Sequence, residues 1–111
     1  MAAVNGQGTL VKVAPGVYLN PFERRDIEPG EHGYVLLDDK GLARLGLSAT
    51  QSKTLQRLDH CGLIKLYQIT PRRKLLLLSS WEEHLKQVRE DPEFWERPAM
   101  RRKWRVACLA M

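Results

Sequence analysis

Residues 41–80, GLARLGLSATQSKTLQRLDHCGLIKLYQITPRRKLLLLSS, decide the fold that we expect for this chain. They contain two pairs of leucines, Leu42 with Leu45 and Leu55 with Leu58, and each pair has the spacing of one apolar helix face. A glycine stands between the two pairs, and glycine readily adopts the left-handed backbone that ends a helix. The stretch therefore predicts two short helices joined by a tight turn.

A β-hairpin is predicted after the second helix. Two apolar runs, residues 63–69 and 74–78, flank a turn sequence that contains a proline and two arginines. Arg72, Arg73 and Lys74 would place positive charge at the tip of this hairpin. Two helices followed by a hairpin predict an α+β fold, and 111 residues provide material for one compact core.

Positive charge is concentrated in this central segment. Residues 41–80 carry seven basic side chains and a single acidic one, Asp59, whereas the whole chain has a net charge of only +5. Clustered positive charge is typical of a surface that binds nucleic-acid phosphates. The alternative interpretation is a solvated basic face without a partner.

The second helix carries a polar stripe that is turned away from its leucines. Four side chains form this stripe: Lys53, Gln56, Arg57 and His60. If the leucines pack inward, the four side chains are presented outward together. Lysine, glutamine and arginine can reach base edges or phosphates in the major groove of DNA. We therefore expect these four residues, together with Arg72, Arg73 and Lys74, to contact double-stranded DNA.

The other segments follow from local composition. Residues 1–8 are small and polar and predict a flexible tail. Residues 9–33 predict a short β-hairpin followed by a loop, as an N-terminal extension. The main domain is predicted at residues 34–91 and begins with a strand at 34–37. Residues 92–111 predict a basic amphipathic helix at the C-terminus.

Polar residues at the predicted helix starts suggest specific caps. Asp38 or Asp39 is expected to cap the first helix, and Ser48 or Thr50 the second. Gly62 is expected to end the second helix. These predictions set the boundaries of the first two helices and of the turn between them.

A third helix is predicted directly after the hairpin. Ser79 and Ser80 each stand three residues before a glutamate, which is the spacing of a capping box. Trp81, Leu85 and Val88 share one face of this helix and are expected to close the core.

The C-terminal helix has four alternative roles in this interpretation. Trp95, Met100 and Trp104 provide a large apolar area that a protein rarely leaves in water. We expect them to form an interface, either by packing on the main domain or by pairing with a second copy of the chain. Contact with phosphates or with a membrane surface is also compatible with a basic amphipathic helix.

Residues 34–88 resemble the MerR and excisionase type of winged helix-turn-helix DNA-binding domain. The resemblance rests on LARLGLS (42–48), TLQRLDHCGLI (54–64), the RRK tip and SSWEEHL after the hairpin. It implies a recognition helix that carries Lys53, Gln56 and Arg57, and a wing that carries Arg72 and Arg73. The stretch from Ser48 to Gly62 is about one helical turn longer than is usual in the family. No long dimerisation helix follows, so a small excisionase-like or architectural protein fits better than an effector-sensing activator, and the expected function is that of a small excisionase-like or transcription-regulator-like DNA-binding protein.

Other functional classes are less well supported by the sequence. Its three histidines are dispersed, and it has neither a glycine-rich phosphate loop nor a nucleophile elbow, so we expect no enzyme, cofactor or metal site. No apolar run reaches the roughly 20 residues that span a bilayer, and the expected location is cytoplasmic with Cys61 and Cys108 as free thiols. The alternative to DNA binding is a winged helix that associates with protein through the hairpin and the tryptophan-rich C-terminus.

Overall fold

The computed structural model describes residues 10–19 and 33–110. Within these ranges the chain is a mixed α+β protein, as predicted. The predicted tail at residues 1–8 and the predicted loop at residues 20–32 lie outside the described residues.

The described part contains four α-helices, two short 3₁₀ turns and five strands. The helices are α1 (Asp39–Arg44), α2 (Ser52–His60), α3 (Leu78–Glu90) and α4 (Pro98–Ala110). The 3₁₀ turns are Ala49–Gln51 and Phe94–Glu96. The strands are β1 (Val11–Ala14), β2 (Val17–Leu19), β3 (Tyr34–Leu36), β4 (Leu66–Thr70) and β5 (Arg73–Leu77).

The strands form two antiparallel sheets. Strands β1 and β2 make a hairpin, and the other three strands have the order β3-β5-β4. The strand ahead of α1 therefore pairs with the second strand of the hairpin that follows α2. Val35 and Leu66 both lie opposite Leu76, so these three residues share the face of the sheet that packs on the helices.

The start and end of α1 confirm the predictions. Asp38 Oδ1 accepts a hydrogen bond of 2.8 Å from the Gly41 backbone N–H, so Asp38 caps the helix. Gly46 has φ of +83°, and its N–H donates to Ala43 O, while the Leu47 N–H donates to Leu42 O. These two bonds form a Schellman ending, which a left-handed glycine permits. Leu47 is buried between the two helices.

The predicted caps of α2 are wrong. Ser48 Oγ lies 2.8 Å from Thr50 Oγ1, and neither hydroxyl caps the helix. A 3₁₀ turn precedes α2, which begins at Ser52 without a side-chain cap. The helix ends at His60, and Gly62 follows its C-cap with the positive φ of +79° expected of a glycine that stops a helix.

The capping boxes predicted for α3 are also wrong. The helix begins at Leu78, one residue before Ser79, and has no side-chain cap. Ser80 Oγ donates to Leu77 O at 2.7 Å and accepts from the Lys65 N–H at 2.9 Å. Ser80 therefore joins α3 to the residue ahead of β4. The apolar face of α3 is buried as predicted and contains Trp81, Leu85 and Val88.

His84 is a core residue that the sequence interpretation did not identify. Its side chain is 0% exposed, and Nε2 lies 2.8 Å from the Val13 carbonyl oxygen. Because a carbonyl can only accept, Nε2 carries the hydrogen of this bond. Nδ1 is buried without a partner in the described part of the chain. His84 thus joins α3 to strand β1.

Stability is expected to fall as the pH decreases below about 6.5, the ordinary pKa of histidine. Burial lowers the pKa of His84, and the hydrogen bond to Val13 opposes this effect only in part. The unfolded chain therefore binds the proton first, and stability is lost between pH 6.5 and the lowered pKa of the folded state. Urea unfolding between pH 7.5 and 4.5 measures the loss, which is about 1.4 kcal/mol for each unit of pKa difference.

His84→Gln provides the matched variant for this measurement. Glutamine retains an N–H that can reach a carbonyl but does not titrate, so we expect lower stability at pH 7.5 and a flatter pH profile. His60→Gln is the control, because His60 is exposed. If the pH profile of His84→Gln were the same as that of the wild type, His84 would not be the group that causes the loss of stability at low pH.

The tryptophans of the C-terminal segment belong to the core of the same chain. Asp91 accepts hydrogen bonds of 2.9–3.0 Å from the Arg97 guanidinium, which closes the turn before α4. Trp95 is 4% exposed, and its ring lies 5.4 Å from that of Trp104, centre to centre. Met100 and Trp104 are half-buried against the core. Of the two predicted roles of these residues, the described contacts are those of packing on the main domain.

Candidate nucleic-acid interface

The two faces of α2 differ as the sequence predicts, but only part of the polar stripe is fully exposed. Leu55 and Leu58 are 0% exposed. On the other side Lys53 and His60 are exposed. Gln56 and Arg57 are half-buried, and Arg57 Nε is buried without a hydrogen-bond partner in the described residues.

Helix α4 packs against α2, near the end of α2 that follows Arg57. Arg57 lies one helical turn before Cys61, so the two residues share a side of α2. Cys61 lines a groove together with residues of α4. The C-terminal helix needs a partner for its apolar side, and it meets α2 beside the polar stripe.

Asp59 holds the hairpin against the other side of α2. Its Oδ1 accepts a hydrogen bond of 3.2 Å from the Leu66 N–H, at the first residue of β4. The single acidic residue of the basic segment thus serves to anchor the hairpin. From Leu66 to Thr70 the strand extends about 13 Å, at about 3.3 Å per residue.

The hairpin tip presents its three cations in two directions. Thr70 pairs with Arg73, and Pro71 and Arg72 form the turn. Arg72 and Arg73 are exposed, while Lys74 is half-buried. Alternation along β5 places Lys74 on the face of the sheet that packs on the helices, and Arg73 on the opposite face.

Within the part of the chain that the structure describes, the exposed cations of α2 and the hairpin have no counter-charge. Among the described residues, Lys53, Arg72 and Arg73 take part in no ion pair. Their charges are therefore available to an external anion. Phosphate groups of a nucleic acid are suitable anions because lysine and arginine bind them readily.

Helix α4 contributes two further cations that the sequence interpretation did not include among the site residues. Arg102 and Lys103 line the groove beside His60 and Cys61, together with Ala99 and Val106. The four α4 residues are spaced as i, i+3, i+4 and i+7, which is one helix stripe. This spacing is visible in the sequence, but the element that faces the stripe is not.

A second groove, on another side of α4, contains one carboxylate, Glu96, among three cations, Lys12, Arg101 and Arg105. Glu96 accepts hydrogen bonds from Lys12 Nζ at 3.3 Å and from the Arg101 guanidinium at 3.2 Å. The hydrogen bond and charge of Lys12, followed by those of Arg101, lower the pKa of the Glu96 carboxyl. Glu96 therefore links strand β1 to α4 through two ion pairs.

Comparisons with protein-family models, with curated proteins and with solved structures found no match to this chain. Among residues 10–19 and 33–110, no group of three or more His, Cys, Asp or Glu side chains is arranged to hold a metal ion. No helix in the same ranges is long and apolar enough to cross a membrane.

Proposed function

We propose that the chain is a winged helix-turn-helix DNA-binding protein of the excisionase-like or transcription-regulator-like kind. In this proposal α2 enters the major groove, and the hairpin of β4 and β5 is the wing that contacts phosphates. The observation that carries the proposal is the distribution of charge around two buried leucines. Leu55 and Leu58 are 0% exposed, while Lys53, His60 and the arginines at the hairpin tip are exposed and form no ion pair with another described residue.

The arrangement of elements supports the same proposal. Strand β3, helices α1 and α2 and the hairpin follow one another in the order that the winged helix-turn-helix resemblance implies. Asp59 holds the hairpin next to α2, so the two candidate DNA-contacting elements are joined by a side-chain hydrogen bond. We place the activity in the cytoplasm, with duplex DNA as the partner and no catalytic reaction.

Each element has a different task in this mechanism. Arg72 and Arg73 would supply sequence-independent affinity by binding phosphates and releasing counterions. Lys53 and Gln56 would discriminate between base pairs, because their hydrogen-bonding groups can read base edges in the major groove. Half-buried Arg57 would also gain an acceptor for its guanidinium if a phosphate or base approached it.

Binding to a random-sequence duplex is expected to weaken steeply as the salt concentration rises. For the double variant Arg72→Ala with Arg73→Ala, we expect the slope of log K against log salt to decrease in magnitude by about 2, because each lost phosphate contact removes about 0.9. Fluorescence anisotropy titrations between 50 and 200 mM salt measure both slopes.

The control for this experiment removes the same charge elsewhere. Lys86→Ala with Arg89→Ala deletes two exposed cations of α3, so net charge changes equally while the hairpin is intact. Equal slopes for the hairpin variant and the wild type would refute the role of the wing. Binding without salt dependence would refute the DNA proposal itself.

A protein-interaction module is the second candidate, and one feature of the sheet favours it. Tyr34 and Tyr67 are 54% and 43% exposed on the face opposite the helices, and their rings meet edge to face with centres 5.7 Å apart. Exposed aromatic rings are frequent in protein interfaces. If this candidate is correct, the chain should bind a protein partner, and the affinity should depend little on the salt concentration. Self-association through α4 would use Val106 and Leu109, which are exposed, because Trp95 is buried in its own chain.

A further inference from the structure

The groove between α2 and α4 has a distinct composition. It has a volume of about 480 Å³ and lies between the end of α2 and the stripe of α4 that contains Arg102 and Lys103. Its lining includes three groups that can donate hydrogen bonds to an anion, the side chains of His60, Arg102 and Lys103. None of the described residues in the lining is acidic.

The cations of this groove are not neutralised by any residue in the ranges 10–19 and 33–110. Within the described part, Arg102 and Lys103 form no ion pair, whereas their neighbour Arg101 is paired with Glu96 at 3.2 Å. Helix α4 therefore has one side on which an arginine is paired and another on which two cations are unpaired. An anion is the ligand that complements the unpaired side.

Lys103 also acts on the apolar part of the groove. Burial raises the pKa of the Cys61 thiol, and the positive charge of Lys103 opposes that rise. Lys103 and Cys61 line the same groove, together with the apolar side chains of Ala99 and Val106. Such a surface offers positive charge next to a small apolar patch, which suits a phosphodiester with its sugar.

We infer that this groove binds a backbone phosphate of the same DNA duplex that α2 contacts. The inference rests on the proposed function and adds α4 as a third DNA-binding element beside the recognition helix and the wing. His60 belongs both to the exposed stripe of α2 and to the groove lining, so the two surfaces are continuous. A duplex bound to α2 would pass the groove with its phosphate backbone. Arg102 and Lys103 would then fix the orientation of the duplex without reading its sequence.

Arg102→Ala with Lys103→Ala is expected to decrease the magnitude of the salt slope by about 2, from two lost phosphate contacts. The loss should be the same for duplexes of different sequence, because phosphate contacts carry no base information. Anisotropy titrations with duplexes of different sequence measure the change in slope. The charge-matched control is the double variant Lys86→Ala with Arg89→Ala.

A gain of binding provides a test that does not depend on deleting residues. Val106→Lys adds a cation to the groove lining and should increase the magnitude of the slope by about 1. Leu109→Lys adds the same charge to α4 outside the groove lining and should leave the slope unchanged. Equal effects of the two lysines would show that only net charge matters and would overturn the inference.

The outcomes separate this inference from the proposed function. If the hairpin variant weakens binding while the groove variants behave like the wild type, the groove is not a phosphate site and the DNA proposal stands. If no variant and no salt concentration affects binding, the DNA proposal fails, and the groove inference fails with it. If the groove variants alone change the slope, the groove inference stands and the wing assignment fails.

Discussion

Gly41→Ala is expected to destabilise the folded chain by about 3 kcal/mol or more, although helix propensity alone predicts a gain of about 1 kcal/mol. Gly41 is a buried residue of α1, beside strand β3. A Cβ atom at this position would overlap the Leu36 carbonyl oxygen and would approach Val35 Cγ1 to 3.0 Å. Backbone atoms cannot change rotamer to make room, so either the helix or the strand must shift.

Urea unfolding followed by tryptophan fluorescence measures the effect of Gly41→Ala. Ala43→Gly is the matched control, because Ala43 is exposed in the same helix and its change costs only about 1 kcal/mol of propensity. A stability of Gly41→Ala equal to or above that of the wild type would show that the close approach of α1 to β3 is wrong.

Trp95→Ala is expected to lower the free energy of unfolding by about 3–5 kcal/mol, the typical cost of removing a buried tryptophan. Trp95 is 4% exposed and is packed by Phe94, His84 and Trp104, with ring centres 5.1, 6.2 and 5.4 Å away. The loss comes from apolar contact that disappears and from the cavity that replaces it. Urea unfolding at two protein concentrations measures this loss.

The concentration dependence separates a core residue from an interface residue. If Trp95 belongs to the core of one chain, the loss is the same at both concentrations. Trp104→Ala should cost less, because Trp104 is only half-buried. A change in elution volume together with unchanged stability would instead assign Trp95 to contacts between copies.

Local sequence signals predicted the structure correctly where a single type of residue determines the local conformation. The leucine pairs of α1 and α2 define buried faces because a spacing of three places them on one side of a helix. Gly46 ends α1 because its φ of +83° is costly for residues with a Cβ atom. Asp38 caps α1 because its carboxylate can reach the free N–H groups of the first turn.

Local spacing did not predict the hydrogen bonds of the serines correctly. Ser48, Ser79 and Ser80 stand at plausible cap positions, but a hydroxyl can donate and accept in several directions. Ser80 accepts from the Lys65 N–H because the hairpin brings that group close to α3. The pairing of distant segments decided this hydrogen bond, and local spacing contains no information about it.

For the candidate site, the sequence by itself determined the chemistry: a basic segment, a helix with one apolar and one polar side, and a hairpin with arginines at its tip. These are local properties, because charge and periodicity belong to the residues themselves. The tertiary structure alone decided that Arg57 is half-buried, that His84 and Trp95 are in the core, and that Arg102 and Lys103 line a groove with His60. The physical reason is that α4 needs an apolar partner, and the rest of the fold determines where that partner lies.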